Sequence, residues 1–372
     1  MFLVCFSLMQ TIDHTVSSGP APAASLRERM RNWLGVTSET TVKVYHGYGH
    51  TNRLTIYGHV LRTAPLPRIR YSKSVINNTV ALLRLFFVEP FPGIEVRLKW
   101  QGKEYRATTD TDGFFKIEWK DDTLSRFGWY TVRVDALLNA DVIASSHGKV
   151  YIPHETQYGF ISDIDDTFLI SHSANMRKRL YVLFTQNARS RQPFEGVVRH
   201  YQLLAQSRTT ADAPNPFFFV SSSEWNLYDY ILEFTRVNRI PEGVFLLNQL
   251  KQFDQLLKTG QNNHQTKFTR IVRILENYPN QRFVLLGDSS QHDPYIYQSI
   301  VEHFPKQIHA VYIRDVHHKN RTAVADVLKS IESAGVPCCF FDHSEDAILH
   351  SKKIDLISEH QLVEAMKEKK LV

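Results

Sequence analysis

The sequence predicts an α/β protein in which a domain with a parallel sheet follows a small β-sandwich-like domain. From residue 41 to about residue 152, short stretches of β-branched and apolar residues alternate with turn signals, which is typical of a small β-sandwich. After Thr156, short apolar strands alternate with segments of helical spacing, which indicates a parallel sheet covered on both faces. A length of 372 residues suits two domains of ordinary size.

Changes in composition along the chain suggest four parts. Residues 17–25 are rich in Ser, Pro and Ala, so residues 1–40 are predicted to be an N-terminal extension with a short helix. The β-sandwich-like domain then takes residues 41–155, the parallel-sheet domain residues 156–345, and a helical C-terminal tail residues 346–372.

Composition and charge limit the class of protein. Hydrophobic residues make up 43% and charged residues 22% of the chain, which excludes a mostly disordered protein. Three cysteines, two of them adjacent, do not make a secreted disulfide framework, so we expect a cytoplasmic protein. No apolar run approaches the ~20 residues of a transmembrane segment. Residues 1–155 carry 19 Lys and Arg against 14 Asp and Glu, a surplus that favours an anionic partner, although a solvated mixed surface explains it equally well.

The first half of the chain is predicted to consist of short strands joined by turns. The Asp110–Gly113 segment between two of them is a tight-turn signal, and it lacks the third acid and the distal Glu of a calcium loop. The predicted strands cover residues 41–45, 54–61, 94–100, 103–109, 114–119, 129–134 and 149–152.

The second half of the chain is predicted to alternate strands with helices. The predicted strands cover residues 158–164, 216–220, 282–286 and 310–313, and the predicted helices cover residues 194–206, 227–237, 268–276 and 295–303. In sheets of this kind, ligands bind at the carboxyl ends of the strands.

Polar residues stand where these strands end. Asp163-Ile164-Asp165-Asp166-Thr167 follows the first strand, and three serines from Ser221 follow the second. Lys267 opens the helix before the third strand, which ends in Gly287-Asp288 with Asp293 five residues further on. Several carboxylates in one crevice are unfavourable without a cation, and Mg²⁺ is the cation that suits oxygen ligands and a substrate phosphate.

These residue types match phosphoryl transfer. A carboxylate such as that of Asp163 can attack phosphorus, and an acid two residues on projects to the same side of an extended segment, where it can protonate the leaving oxygen. A hydroxyl and a lysine suit the equatorial oxygens of the phosphoryl group, where negative charge must be stabilised.

The order of the motifs resembles that of the haloacid dehalogenase superfamily: D-x-D-x-T, an apolar strand with Ser, then Lys, then G-D-x-x-x-x-D. More narrowly, GFISDIDDT, FVSSSEWNLYDYI, VLLGDSSQHDPYIY and VYIRDV resemble the App1-type phosphatidate phosphatase family over residues 155–318. The resemblance implies a haloacid-dehalogenase-like Rossmannoid parallel sheet in the second domain. One departure is Glu224, which stands in Ser-Glu-Trp where the family usually has Ser-Pro-Trp.

The resemblance also implies roles for individual residues. Asp163 corresponds to the nucleophile, Asp165 to the general acid and base, Ser221 to the phosphate-binding hydroxyl and Lys267 to the lysine that steadies the nucleophile and the phosphate. The implied metal ligands are Asp163, Asp165 through its backbone carbonyl, Asp288 and Asp293.

The activity that the resemblance implies is Mg²⁺-dependent hydrolysis of phosphatidate to diacylglycerol and phosphate through an aspartyl-phosphate. The enzyme would then meet its phospholipid substrate as a peripheral protein at a membrane surface. Two alternatives stay open: a phosphatase for another bulky phosphomonoester, such as a nucleic-acid end or a phosphoprotein, and a non-catalytic protein that binds anionic lipid. A nucleic-acid partner is the less favoured of these, and the complete set of motifs argues against a non-catalytic role.

Two further features allow both a functional and a structural interpretation. Trp225 and Tyr228 lie three apart after the serine loop and either contact a lipid or a base or, as we favour, pack against the sheet. The basic cluster at residues 177–179 either attracts acidic headgroups or is an ordinary solvated helix face.

Overall fold

The fold is taken from a computed structural model. The structure describes residues 36–37, 39–65, 84–124, 126–164, 193–194, 196–210, 213–250, 263–290, 292–361 and 363. Asp165, Thr167 and the basic cluster at residues 177–179 therefore lie outside the described residues.

The first part of the chain forms one connected sheet of ten strands. All its pairings are antiparallel except that between β3 and β10. Its strands are β1 Val36–Thr37, β2 Thr41–Val44, β3 Gly47–His50, β4 Arg53–Pro65, β5 Glu89–Pro90, β6 Glu95–Trp100, β7 Lys103–Thr108, β8 Phe114–Trp119, β9 Gly128–Leu138 and β10 Asp141–Ile152. We call this part the strand-rich region.

Alternation of apolar and polar side chains builds the core of the strand-rich region. In β6, Val96, Leu98 and Trp100 are buried while the residues between them are more exposed, as a strand with one face toward a core requires. The same pattern in β8 buries Phe115 and Ile117. These features are compatible with the predicted β-sandwich-like domain.

The predicted tight turn lies between β7 and β8. The Asp110 carboxylate accepts hydrogen bonds from the N–H groups of Asp112 and Phe114, both at 2.9 Å, and Gly113 has a φ of 71°. That conformation favours glycine, and a Cβ at this position would lie 2.5 Å from the carbonyl oxygen of Val60. The strands that flank the turn pair with different partners, β7 with β6 and β8 with β4, so the turn passes the chain from one to the other.

The second part of the chain forms a six-stranded sheet in which every pairing is parallel. Its strands are β11 Gly159–Asp163, β12 Phe217–Glu224, β13 Gly243–Asn248, β14 Phe283–Asp288, β15 Ile308–Arg314 and β16 Cys338–Phe341, in the order β13-β12-β11-β14-β15-β16. The described helices are α1 Val197–Ala205, α2 Tyr228–Val237, α3 Asn263–Asn277, α4 Asp293–His303, α5 Arg321–Ser333 and α6 Ser344–Lys353. Short 3₁₀ helices cover Arg84–Phe86, Trp225–Leu227 and His318–Asn320.

This architecture confirms the predicted α/β class with a parallel sheet. The strands are largely apolar before their carboxyl ends because both faces of the sheet are covered, and all of β11 and β14 is buried. The order of strands changes direction at β11, which has β12 on one side and β14 on the other, and this is where such sheets form a crevice at their carboxyl edge. None of the helices in the described ranges is long and apolar enough to cross a membrane.

The two parts share a hydrophobic core. Tyr45, Tyr48 and Tyr57 of the strand-rich region belong to the same buried cluster as the apolar residues of the parallel sheet. The ring of Tyr48 lies 5.5 Å from that of Phe218 in β12, in an edge-to-face arrangement. The Tyr151 hydroxyl donates a 2.5 Å hydrogen bond to the carbonyl of Pro214. The parallel sheet is therefore packed directly against the strand-rich region.

Candidate active site

The carboxyl edge of the parallel sheet brings three predicted site residues together. Asp163 is the last residue of β11 and pairs in register with Val220 of β12, so Ser221 follows directly beside it. On the other side, Ser162 pairs with Leu286, which places Asp288 one residue beyond Asp163 along the edge. Asp163, Ser221 and Asp288 are all buried, at 1% exposure or less.

Lys267 joins this edge from helix α3. Its ammonium nitrogen lies 2.8 Å from Asp163 Oδ1 and forms a second ion pair with Asp293 Oδ1. Burial alone would lower the pKa of Lys267, but the charges of Asp163 and Asp293 outweigh it, so the pKa is raised above its usual value. Lys267 is therefore a permanent buried cation between two carboxylates.

Three buried carboxylates surround one small volume. Asp163, Asp288 and Asp293 each offer an oxygen within 4.8 Å of the other two. Burial, and after it the charge of Asp293, raises the pKa of Asp288 to about 7. One ammonium does not neutralise three carboxylates, so this group has an excess of negative charge that a cation would relieve.

The donor atoms of this group fit a hard divalent cation. Asp293 Oδ2 is buried and has no hydrogen-bond partner, an unusual state for a carboxylate oxygen. Oxygen ligands of this kind suit Mg²⁺, which is bound through a few carboxylates together with water and substrate. Asp163, Asp288 and Asp293 are thus the described residues that would hold it.

Gly287 gives Asp293 the space that it occupies. Asp293 is the first residue of α4, where the helix dipole favours a negative charge, and its side chain lies against the backbone of Gly287. A Cβ at position 287 would lie 2.8 Å from Asp293 Oδ2 and 2.8 Å from a ring carbon of Tyr297. Only glycine allows the carboxylate to approach β14 so closely.

Ser221 is held by contacts on two sides. Its Oγ accepts a 2.9 Å hydrogen bond from the N–H of Ser223, and its carbonyl accepts a 2.9 Å hydrogen bond from the guanidinium of Arg270. Burial, and after it the charge of Arg273, lowers the pKa of Arg270 to about 10, which leaves it protonated at neutral pH. Sequence reasoning missed Arg270, although it stands one helical turn after Lys267 on the same face.

A second network fixes the loop after Asp288. The Ser289 hydroxyl donates to the carboxylate of Asp315 at 3.1 Å and accepts the N–H groups of Val316 and His317, both at 3.0 Å. Arg321 pairs with Asp315 at 3.0 Å. Sequence reasoning did not assign roles to Ser289 or Asp315, whose contact depends on the pairing of β14 with β15.

Trp225 and Tyr228 are packing residues, as favoured from the sequence. Trp225 is 7% exposed, and its ring stacks on that of Tyr45 with centroids 4.0 Å apart and planes 11° apart. The Tyr228 hydroxyl accepts a 3.0 Å hydrogen bond from the N–H of His46. Both side chains thus face the strand-rich region.

Comparisons with known proteins show which sequences the chain resembles. Residues 158–315 match the family model described as phosphatidate phosphatase APP1, catalytic domain. The chain is 29% identical to phosphatidate phosphatase APP1 of Saccharomyces cerevisiae over 220 residues, which cover 59% of this chain and 36% of that protein. An uncharacterized protein of Schizosaccharomyces pombe is 22% identical over 219 residues, which cover 57% of this chain and 35% of that one. The chain thus spans about a third of the length of both relatives.

One solved structure gives a weaker match. An immunoglobulin-like domain from the M. primoryensis ice-binding adhesin aligns with 31% of this chain and 98% of its own length, at 12% identity. Its TM-score of 0.17 is too low to indicate a common fold.

Proposed function

We propose that this protein hydrolyses the phosphomonoester of phosphatidate to diacylglycerol and inorganic phosphate, because residues 158–315 match the family model described as phosphatidate phosphatase APP1, catalytic domain. The observation that carries the proposal is the position of Lys267 between Asp163 and Asp293, beside a buried group of three carboxylates at the carboxyl edge. The strand order and this edge also support the assignment of a haloacid-dehalogenase-like fold.

In the proposed reaction, Asp163 is the nucleophile. Its carboxylate oxygen forms a bond to phosphorus while the bond from phosphorus to the glycerol oxygen breaks, which gives an aspartyl-phosphate. Asp165 gives its proton to the leaving oxygen and then takes a proton from the water that releases phosphate. Lys267 keeps Asp163 ionised and oriented, because its ammonium contacts Oδ1 at 2.8 Å.

The remaining residues bind the phosphoryl group and the metal. The Ser221 hydroxyl donates to a phosphoryl oxygen, and the N–H of Ser223 fixes the position of its Oγ. Asp163, Asp288, Asp293 and the backbone carbonyl of Asp165 would hold Mg²⁺. When bound, the ion supplies positive charge that stabilises the transferring phosphoryl group.

A direct test measures phosphate release from phosphatidate in mixed micelles, with Mg²⁺ and with EDTA, for the wild type and Asp163→Asn. Aryl phosphate, a 5′-phosphorylated oligonucleotide and a phosphoprotein serve as competing substrates. Mg²⁺-dependent release that favours phosphatidate and is absent in Asp163→Asn supports the proposal. Release from a competing substrate alone would agree with the proposed mechanism but reject phosphatidate as the substrate. No release from any substrate would reject phosphatase activity.

We also propose that the protein is cytoplasmic and meets its lipid substrate as a peripheral protein at a membrane surface. The surplus of basic residues in residues 1–155 supports contact with anionic headgroups. In vesicle flotation, we expect binding to phosphatidate-containing vesicles that weakens as salt rises. Equal binding to neutral vesicles, or binding that salt does not change, would contradict this electrostatic attachment.

A further inference from the structure

We infer that the strand-rich region takes part in the reaction by fixing the irregular end of β12, residues 221–224, which we call the Ser221 loop, with Tyr45 and Trp225 as positioning residues. This inference rests on the proposed function, because it concerns the hydroxyl that binds the phosphoryl group. It gives the strand-rich region a role in turnover in addition to any contact with membranes.

The loop needs support because the ladder of β12 is irregular where it carries Ser221. The pairing of β12 with β13 is regular from Phe217 to Val220 and resumes only at Glu224, with a shift of register between them. The backbone at Ser221 is thus not held by a continuous ladder on that side. Other contacts must decide where its hydroxyl points.

The strand-rich region supplies contacts to the residues that follow. Tyr45 stacks on Trp225 with ring centroids 4.0 Å apart, and its centroid lies 4.6 Å from that of Tyr228. The N–H of His46 donates to the Tyr228 hydroxyl at 3.0 Å. The side-chain amide of Asn226 donates to the carbonyl of Leu85 at 2.9 Å. These contacts hold Trp225, Asn226 and Tyr228, which lead from the end of β12 into α2.

Tyr45 is itself fixed on its own side. Its hydroxyl forms a 2.9 Å hydrogen bond with Nδ1 of His59, and its N–H donates to the carbonyl of Tyr57 at 2.9 Å. The side chain is 1% exposed, so it has no room to follow a moving loop. A rigid ring of the strand-rich region thus sets the position of Trp225.

The opposite side of the loop is held from helix α3. Arg270 donates to the Ser221 carbonyl at 2.9 Å, and Lys267 on the same helix contacts Asp163. Helix α3, which also orients the nucleophile, thus contacts the loop itself, and Tyr45 of the strand-rich region contacts the residues that follow it directly. Removing the Tyr45 ring takes away the stacking that the strand-rich region supplies and leaves the contact from α3 in place.

The test compares Tyr45→Leu and Trp225→Leu with two controls in the full-length chain. Tyr45→Phe keeps the stacked ring and loses only the hydroxyl. Val134→Ala removes buried volume from the separate core of the strand-rich region, away from the loop. For each variant, kcat, KM and the inhibition constant of orthovanadate are measured, with circular dichroism confirming a folded protein at the assay temperature.

We expect Tyr45→Leu and Trp225→Leu to lower kcat about ten-fold and to weaken vanadate inhibition by a similar factor, because small displacements in a site are costly. Tyr45→Phe should keep most of the wild-type activity because the stacked ring remains. Val134→Ala should lower the melting temperature but leave kcat and vanadate inhibition unchanged. Unchanged kcat in both leucine variants, or an equal loss in Val134→Ala, would overturn the inference alone. An inactive wild type would instead overturn the proposed function and the inference with it.

Discussion

Lys267 and Asp163 form a buried ion pair of 2.8 Å at the point where helix α3 meets the end of β11. The same ammonium pairs with Asp293, so one cation forms ion pairs with carboxylates from two elements, β11 and α4. Because all three side chains are buried, the geometry depends on both pairs being present.

Replacing Lys267 by Met should abolish most of the activity and destabilise the fold. The substitution keeps the length of the side chain but leaves two buried carboxylates without their cation, a change that costs about 3–5 kcal/mol in unfolding free energy. Urea unfolding and phosphate release measure the two effects. The exposed Lys329→Met is the matched control and should change neither. Wild-type activity in Lys267→Met would show that the pair is not needed for turnover.

Mg²⁺ should stabilise the wild-type protein through the three carboxylates. A ligand that binds only the folded state at one hundred times its dissociation constant adds about 2.7 kcal/mol of stability. We expect a rise in melting temperature with Mg²⁺ in the wild type and a much smaller rise in Asp288→Asn. Asp326→Asn, which changes an exposed carboxylate on α5, should respond as the wild type does. The same rise in Asp288→Asn would place the metal elsewhere.

Gly287→Ala should impair the site through a steric clash with Asp293. The new Cβ would lie 2.8 Å from Asp293 Oδ2, so the carboxylate must move away from the position where it pairs with Lys267. We expect a fall in kcat of about one hundred-fold with little change in secondary structure by circular dichroism. Retained activity would mean that Asp293 moves without consequence for the reaction.

Acid should destabilise the fold through His200. Burial, and after it the charge of Arg314, lowers the pKa of His200 to about 3 from its usual 6.5. Below pH 6.5, His200 binds a proton in the unfolded chain but stays neutral in the folded chain. The contribution of His200 to the free energy of unfolding is therefore fully present above pH 6.5 and is lost as the pH falls toward 3.

At pH 5, His200 alone lowers the free energy of unfolding by about 2 kcal/mol relative to neutral pH. Urea unfolding at pH 7 and pH 5 should therefore show a smaller decrease in His200→Gln than in the wild type. The exposed His147→Gln serves as the control and should keep the wild-type decrease. Equal decreases in all three proteins would contradict the assignment.

Local sequence was sufficient to predict the elements that carry the site. Apolar runs that end in polar residues located β11, β12 and β14, and the rule for parallel sheets placed Asp163, Ser221 and Asp288 at one edge. The short strands β13 and β16 and the helix α5 were not predicted. Periodicity is weak over four to six residues, and β16 begins with two cysteines directly after Pro337.

Contacts between distant parts of the chain were beyond local reasoning. The stack of Tyr45 on Trp225 joins residues 180 positions apart, and the contact of Ser289 with Asp315 needs the register of β14 and β15. The roles proposed for Asp163, Asp165, Ser221, Lys267, Asp288 and Asp293 stay predictions that the variants above address.

The shared core has a practical consequence for protein production. The segment that matches the family model ends at residue 315, before β16, and begins at residue 158, after every strand of the strand-rich region. An expression fragment with these limits would expose the edge of β15 and the aromatic rings of Trp225 and Phe218 to water. We expect it to aggregate, so screening of inhibitors or crystals should begin from the whole chain.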